Sequence, residues 1–316
     1  MMTFYFKRPP LVMSGLVLGI LSLGNLLGNY SLLLNNILLI VASLFYVYLL
    51  AGMVRHPYQV LEELKSPLVA SVFPTFFMAG MLFSARLIKD LSFELGHFLW
   101  LIFFLGNCCL ILYYLIRFLI PFSWNHVFPS WSVLFVGIAV AALTAPFSQH
   151  VKIGQFIFFA CLILTFLVLP FMTYKAYFIG LESSLKPNIS TFCAPLSLLL
   201  ASYLAAFPAP DSRLVIFLTL TSQLLYFFVL FQLPVLIKRD FNPGFAAFTF
   251  PFVISATSLK GALTYLGLSK GFVLLLIFEI LVATLLVVYV TYLYGTFLIR
   301  KKRKNNVSRF YLIYYS

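Results

Sequence analysis

The chain has 316 residues, of which 63% are hydrophobic and 9% are charged, and its mean hydropathy is +1.05. Soluble domains carry roughly a quarter charged residues, so this composition excludes a water-soluble globular protein and predicts a membrane protein. The formal net charge of +13 does not require nucleic acid as a partner, because most basic residues lie beside apolar runs, where they orient a chain in the lipid bilayer.

The apolar runs predict ten membrane-spanning helices. Each run is long enough to cross a hydrocarbon core of about 30 Å as a helix, and the runs lack the alternating polarity of β-barrel strands. In chain order the predicted spans lie near residues 11–28, 32–54, 68–88, 96–120, 131–148, 153–174, 188–207, 212–236, 244–266 and 271–297. The short turns leave no room for a soluble domain. We therefore predict a cytoplasmic N-terminus at 1–10, one transmembrane domain at 11–297 and a basic cytoplasmic tail at 298–316.

Basic residues are distributed unequally between the two ends of these spans. The termini and the regions around the turns after even-numbered spans hold 15 of the 21 Lys and Arg residues, and the opposite side holds the other 6. Cytoplasmic segments carry the excess of basic residues in membrane proteins. The bias predicts a multi-pass plasma-membrane protein with both termini in the cytoplasm.

Prolines mark an internal repeat. A proline opens each odd-numbered span, at Pro10, Pro67, Pro129, Pro187 and Pro243, at intervals of 57, 62, 58 and 56 residues. Proline suits the first turn of a helix, where its missing N–H has no partner in any case. Each interval holds two spans, so the repeated unit is a helical hairpin used five times.

The odd-numbered spans also differ in composition from the even ones. Three of them carry a second proline seven or eight residues later, at Pro74, Pro195 and Pro251. Such a proline kinks a membrane helix and frees a carbonyl group. The odd spans are rich in small residues, whereas the even spans are mostly Leu, Ile, Val and Phe. This contrast favours an all-α fold with kinked odd helices inside and even helices outside, although small residues also serve close helix packing without a pore.

An inner ring of this kind gathers positive helix ends at one mouth. All five odd helices would run outward from the cytoplasm, so their dipoles and nearby lysines attract anions there. No charged residue lies at mid-depth of an odd span, so passage would depend on aperture and dehydration. The predicted pore-lining residues are small, polar or kink-forming: Ser14, Gly15, Ser71, Pro74, Thr75, Gly137, Pro195, Ser197, Thr249, Pro251 and Ser255.

Several motifs occur together in order. They are Ser14 with Gly15 in span 1, Lys65 with Pro67 before span 3, Pro129 with Trp131 before span 5, and NPGFAAFTFPFVISAT at 242–257. In these motifs the chain resembles the tellurite-resistance/dicarboxylate transporter family, which includes TehA-like bacterial proteins, fungal malic acid transporters and plant slow anion channels. The resemblance implies five hairpins with quasi-five-fold symmetry around a central pore, and a homotrimer.

The resemblance also implies a phenylalanine gate. Phe250 matches the family position, where an apolar ring narrows and dewets the pore until it swings aside. Gly15 matches the family glycine that leaves room for this ring. Composition alone does not single out Phe250, because the chain has 37 phenylalanines. Three others, Phe76, Phe135 and Phe192, are candidates for further constrictions.

Two ionisable residues inside spans have open interpretations. Glu279 is the only acidic residue deep in a span, and it is either a proton-coupling site or a hydrogen-bonded packing residue, with a subunit contact as one location. Lys260 lies about 24 Å along span 9 at 1.5 Å per residue. It either attracts anions to the outer mouth or extends to the headgroups. We expect Glu62 and Glu63 to be solvated loop charges.

The function that these features predict is a gated conductance for small anions such as chloride or nitrate. The alternative is a proton-coupled carrier of C4-dicarboxylates such as malate. An enzyme is disfavoured, because no paired-carboxylate, zinc-protease or nucleophile-elbow motif is present. The sequence predicts no cofactor and no metal site, and the expected partners are small anions and the lipid bilayer.

Overall fold

The computed structural model describes residues 8–299 of the chain. Ten apolar helices follow one another in this range, and we label them α1 to α10 in chain order. They are Leu11–Leu27, Leu32–Arg55, Pro67–Asp90, Phe93–Leu119, Ser132–Ser148, Val151–Ile179, Ser183–Ala206, Ser212–Ile237, Pro243–Tyr265 and Val273–Leu298. Eight are long and apolar enough to cross a membrane, and α1 and α5 are shorter. Residues 1–7 of the predicted N-terminus and 300–316 of the predicted tail lie outside the described part.

The predicted span boundaries agree with these helices to within three residues, apart from the end of α6 and the start of α7. The helix α6 continues to Ile179 through a π-helical turn at Lys175–Ile179. The helix α7 begins at Ser183, because its polar first residues form a 3-10 segment. A surface helix at Pro57–Leu64, which the apolar runs do not predict, joins α2 to α3 and has its proline in the first turn.

Each odd-numbered helix is built from two segments. The first segments are Leu11–Met13, Pro67–Val72, Ser132–Val136, Ser183–Cys193 and Pro243–Phe248, and four of the five are 3-10 or π-helical rather than α-helical. The second segment is α-helical in every case. Pro74, Pro195 and Pro251 stand at its first or second position, where proline is tolerated. The chain therefore breaks where the second prolines predict kinks.

Burial separates the odd helices from the even ones. In α3, α7 and α9, between 78% and 89% of the apolar core of the helix is buried, against 17–33% in the five even helices. The even helices expose large apolar side chains such as Leu44, Phe156 and Phe231. Such surfaces suit lipid or another subunit, and the small-residue helices occupy the interior, as the composition contrast predicts.

The five odd helices form a closed ring. The helix α1 packs against α3, α3 against α5, α5 against α7 and α7 against α9, and α9 returns to pack against α1. Each odd helix also packs against the even helix that follows it. The opening prolines stand together at one end of this ring, which we call the proline end, and the opposite end is the far end.

Candidate functional site

A belt of hydroxyl groups joins the five ring helices near the proline end. At this end of the ring, each of the five contacts between neighbouring ring helices has a hydrogen bond from a Ser or Thr hydroxyl. The pairs are Ser14 with Thr75 (2.6 Å), Ser71 with Ser130 (2.6 Å), Ser132 with the Thr191 carbonyl (3.2 Å), Ser190 with the Ala247 carbonyl (2.6 Å) and Thr249 with the Gly15 carbonyl (3.0 Å). We call this set the hydroxyl belt.

Two belt hydrogen bonds compensate for the internal prolines. Proline lacks an N–H, so Pro195 leaves the carbonyl four residues earlier, Thr191, without its helical partner, and Pro251 does the same to Ala247. The hydroxyls of Ser132 and Ser190 donate to these two carbonyls from the neighbouring helix. The kinks and the belt are therefore parts of one arrangement, in which a ring neighbour satisfies the carbonyl that the proline frees.

The belt hydroxyls also bond within their own helices. Ser14, Ser71, Ser132, Ser190 and Thr249 each lie within hydrogen-bond distance of the carbonyl three residues earlier. A hydroxyl has one proton, so where two carbonyls are within reach the hydrogen bond is shared between them. Three belt residues, Ser130, Ser132 and Ser190, are not among the residues predicted to line the pore. A hydroxyl three or four residues after the opening proline in α1, α3, α5 and α7 is the signal that identifies most of the belt.

Phe250 stands one residue beyond the belt, at the start of the second segment of α9. Its side chain is 4% exposed. The glycine that faces its backbone is Gly19: a Cβ there would overlap Thr249 and approach the Phe250 nitrogen to 3.0 Å. Gly15 instead faces Ala246, at 3.3 Å. Gly19, one turn along α1, therefore lets α1 approach the backbone of α9 beside Phe250, and the role of Gly15 in leaving room for the Phe250 ring stays a prediction.

The other candidate constriction rings pack toward the even helices. Phe76 stacks on Tyr46 of α2 with a 5.0 Å centroid separation. Phe135 lies 6.2 Å from the Tyr114 ring of α4, and Phe192 lies 6.4 Å from the Phe228 ring of α8. Within residues 8–299, no ring–ring contact of this kind involves Phe250. Phe250 is thus buried in the ring without the aromatic packing that fixes Phe76, Phe135 and Phe192.

A small cavity opens at the proline end of the ring. Residues from four ring helices line it, including Val12 from α1, Val72 from α3, Asn188 from α7 and Ala247 from α9. Because four of the five ring helices contribute, the cavity lies near the centre of the ring. Phe250 follows the lining residue Ala247 by three positions, and its own side chain is buried rather than part of the lining.

The remaining predicted pore-lining residues lie in contacts between ring helices. Ser197 of α7 and Ser255 of α9 are fully buried, with 3.0 Å between their hydroxyl oxygens. Gly137 ends the π-helical segment of α5, and a Cβ there would lie 2.8 Å from the Met78 sulfur of α3. Small residues at these positions let the ring helices approach closely.

Glu63 contradicts the expectation of a solvated loop charge. Its carboxylate lies 2.7 Å from the Arg8 guanidinium and accepts a 3.1 Å hydrogen bond from the Leu11 N–H, which is the first of α1. Burial raises the pKa of Glu63 above its ordinary value, while the Leu11 hydrogen bond and Arg8 act in the opposite direction. Glu62 is exposed, as expected, and pairs with Lys65 at 2.6 Å.

The two ionisable residues inside helices lie in different environments. The Lys260 amine stands 4.6 Å above the Tyr30 ring, a cation–π contact near the far end. Glu279 of α10 is fully buried within a single chain, so it does not require a subunit contact for its burial. Neither carboxyl oxygen of Glu279 has a hydrogen-bond partner in the described part of the chain.

The sequence profile of the voltage-dependent anion channel family matches residues 10–297. The chain belongs to this family. The match spans all ten helices, and it confirms the resemblance to slow anion channels and their relatives. No curated protein matches the chain. Members of the family are channels and transporters rather than enzymes, so this member is a membrane transport protein with anions as its class of substrate.

Proposed function

We propose that this family member is a gated conductance for small anions of the chloride and nitrate type. In this proposal ten membrane-crossing helices form five hairpins with quasi-five-fold symmetry around a central pore, and Phe250 occludes that pore. The observation that carries the proposal is the placement of Phe250: it is buried in a closed ring of kinked helices, three residues after Ala247, which lines a cavity shared by four of them.

The chemistry of the ring favours anions over cations. The middle of each ring helix has no carboxylate, so no fixed negative charge attracts a cation there. Lys186 and Arg239 lie at the proline end near the start of α7, where Arg239 donates to the Ser183 carbonyl. Five helix N-termini at the same end add positive potential. The ring interior consists of hydroxyls and small apolar side chains. The choice among anions would therefore depend on the width of the pore and on the free energy of removing water from each anion.

The proposed orientation places the proline end in the cytoplasm of a plasma-membrane protein. The 15-to-6 distribution of basic residues supports this orientation. The even helices present large apolar side chains to the outside, a surface that suits both lipid and subunit contacts. The homotrimer follows from the family resemblance.

A second candidate function is a proton-coupled carrier of C4-dicarboxylates such as malate. The observation that favours it is the buried carboxyl of Glu279, because an acid without a counter-ion in a membrane helix suits proton binding. A channel and a carrier differ in what drives the flux. Channel flux follows the membrane voltage, whereas a symporter moves protons together with its substrate.

Purified protein in proteoliposomes distinguishes these functions. The conductance predicts voltage-driven chloride or nitrate flux with no accompanying pH change in the lumen. Malate-dependent proton uptake without voltage-driven chloride or nitrate flux would contradict the conductance and establish the carrier. Empty liposomes and protein-free detergent controls measure the leak.

A further inference from the structure

A cluster of buried polar side chains lies outside the ring, between α7, α8 and α10. Glu279 projects from α10, Gln223 and Tyr226 from α8, and Cys193 ends the first segment of α7. Glu279, Tyr226 and Cys193 are fully buried, and Glu279 lies within electrostatic range of both of the others. Gln223 is the hydrogen-bonding side chain beside the Glu279 carboxyl.

The polar side-chain atoms of Glu279, Gln223 and Tyr226 have no partners in the described part of the chain, whereas the Cys193 thiol donates to the Leu225 carbonyl. Both oxygens of Glu279, both polar atoms of the Gln223 amide and the Tyr226 hydroxyl are buried without a well-formed hydrogen bond. Gln223 is adjacent to Glu279, but its amide is not aligned to complete one. Unpaired polar groups are costly in a membrane. Five such atoms on three neighbouring side chains therefore indicate a binding site rather than ordinary packing.

Among residues 8–299, no basic group forms an ion pair with Glu279. The helix α10 packs against α9 and α1. The described α1 contains no titratable side chain, and those of α9 are Lys260 and Tyr265, near the far end, with the Lys260 amine held over Tyr30. From α8 and α7 the titratable groups beside Glu279 are Tyr226 and Cys193, both neutral in their protonated forms. The other titratable groups of these two helices are Lys186 near the start of α7, Tyr203 near its end and Arg213 at the start of α8. A proton on the carboxyl is therefore what keeps Glu279 uncharged in this arrangement.

The cluster is connected to the proposed gate by one aromatic contact. The Tyr226 ring packs edge-to-face on Phe252 of α9 with a 5.6 Å centroid separation. Phe252 follows Phe250 by two residues, in the first turn of the same helical segment. Cys193 directly precedes the second segment of α7. The cluster therefore lies behind the breaks of two ring helices.

We propose that Glu279, Gln223 and Tyr226 form a buried proton-binding site that controls the side-chain packing at the first turn of α9, and hence the orientation of the Phe250 side chain. This inference rests on the proposed anion conductance. With the proton bound, Glu279 is neutral and Tyr226 stays packed on Phe252. When the proton leaves to water, the carboxylate becomes a strong acceptor for the Tyr226 hydroxyl and the Gln223 amide. Tyr226 then turns toward Glu279 and away from Phe252, so Phe250 is released and conductance rises with pH.

The test is anion current through the full chain in proteoliposomes, measured from about pH 5 to about pH 8 with equal pH on both sides. We expect wild-type current to rise with pH, by at most about tenfold per pH unit, because one proton is released. Glu279→Gln imitates the protonated form and should give the low-pH current at every pH. Tyr226→Phe keeps the ring on Phe252 but loses the hydroxyl, and should likewise flatten the profile.

Two further measurements separate this proposal from the proposed function. Phe250→Ala, recorded in parallel, reports whether the ring conducts at all. Infrared difference spectra after a pH step report carboxylic acid C=O bands in the purified protein, and the site predicts one band in wild type that is missing in Glu279→Gln. If Phe250→Ala conducts and Glu279→Gln keeps the wild-type pH profile, the proton site is wrong and the conductance stands. If no variant conducts, the conductance is wrong, and the infrared band alone decides whether Glu279 binds a proton.

Discussion

The Thr249 hydroxyl lies 3.0 Å from the Gly15 carbonyl oxygen and donates a hydrogen bond to it. These residues are 234 positions apart in the chain, and their contact joins the last ring helix to the first. Thr249 directly precedes Phe250, and Pro251 restricts the backbone on its other side. The backbone beside Phe250 is therefore held in place. A gating movement that leaves this backbone nearly unchanged would be a rotation of the Phe250 side chain.

The close contact of Gly19 with α9 gives the first prediction. Gly19→Ala places a methyl group against Thr249 and the Phe250 nitrogen, so we expect a loss of about 1–3 kcal/mol in the free energy of unfolding. The matched control is Gly295→Ala in α10, where an added Cβ meets nothing within 4 Å. Thermal unfolding of detergent-purified protein measures both. Equal melting temperatures for the two variants would show that Gly19 is not tightly packed.

A double-mutant cycle tests the link between the belt and the prolines. Ser190→Ala removes the hydroxyl that donates to the Ala247 carbonyl, which should destabilise the protein by about 1 kcal/mol. In a Pro251→Ala background, the new N–H at residue 251 bonds to that carbonyl itself. We therefore expect Ser190→Ala to cost clearly less in that background than in wild type.

The control for this cycle is Thr173→Ala. Thr173 is an exposed residue of α6, and its hydroxyl bonds only to the Leu169 carbonyl of its own helix among the described contacts. Its effect on the free energy of unfolding should be the same with and without Pro251→Ala. Additivity in the Ser190 cycle as well would contradict the compensation of Pro251 by Ser190.

Glu63 makes stability depend on pH in a defined direction. Burial raises its pKa above the ordinary value of 4.5, so the folded state holds the proton more tightly than the unfolded state. This contribution is present below about pH 4.5 and is lost as the pH rises through the raised pKa. We expect the melting temperature of wild type to fall as the pH rises through this range, and Glu63→Gln to remove this fall. The two proteins are compared by the slope of melting temperature against pH, because the variant also breaks the ion pair with Arg8 at every pH.

Glu62→Gln is the control for this titration. Glu62 belongs to the same surface helix, but its side chain is 62% exposed and pairs with Lys65. The variant should keep the wild-type slope of melting temperature against pH. A wild-type slope in Glu63→Gln would show that another group is responsible.

The sequence predicts the helices and their breaks better than it predicts individual contacts. Proline spacing locates the ring helices and their kinks because the missing N–H acts within a few residues of the proline. Glu63 and Glu62 cannot be distinguished locally, since the partner of Glu63 is Arg8, more than fifty residues earlier. Gly15 and Gly19 differ by one turn of α1, and only the packing of α9 decides which of them faces Phe250.

The kind of side-chain environment is also hidden from the sequence. Phe76, Phe192 and Phe250 all follow a polar residue of a ring helix, but two of them pack on rings of even helices and one does not. The direction in which each ring points depends on the rotation of the helical segment that carries it. That rotation is set by contacts with neighbouring helices rather than by the local residues.

The most direct test of the proposed gate is the anion current of Phe250→Ala in proteoliposomes, with Phe192→Ala as the matched control. Both changes remove a buried phenylalanine ring from a ring helix: Phe250 lies in the second segment of α9, and Phe192 lies in the first segment of α7. We predict a large, voltage-following increase in chloride or nitrate current for Phe250→Ala and wild-type current for Phe192→Ala. Wild-type current in Phe250→Ala, in protein that is folded and reconstituted equally, would contradict a gate at Phe250.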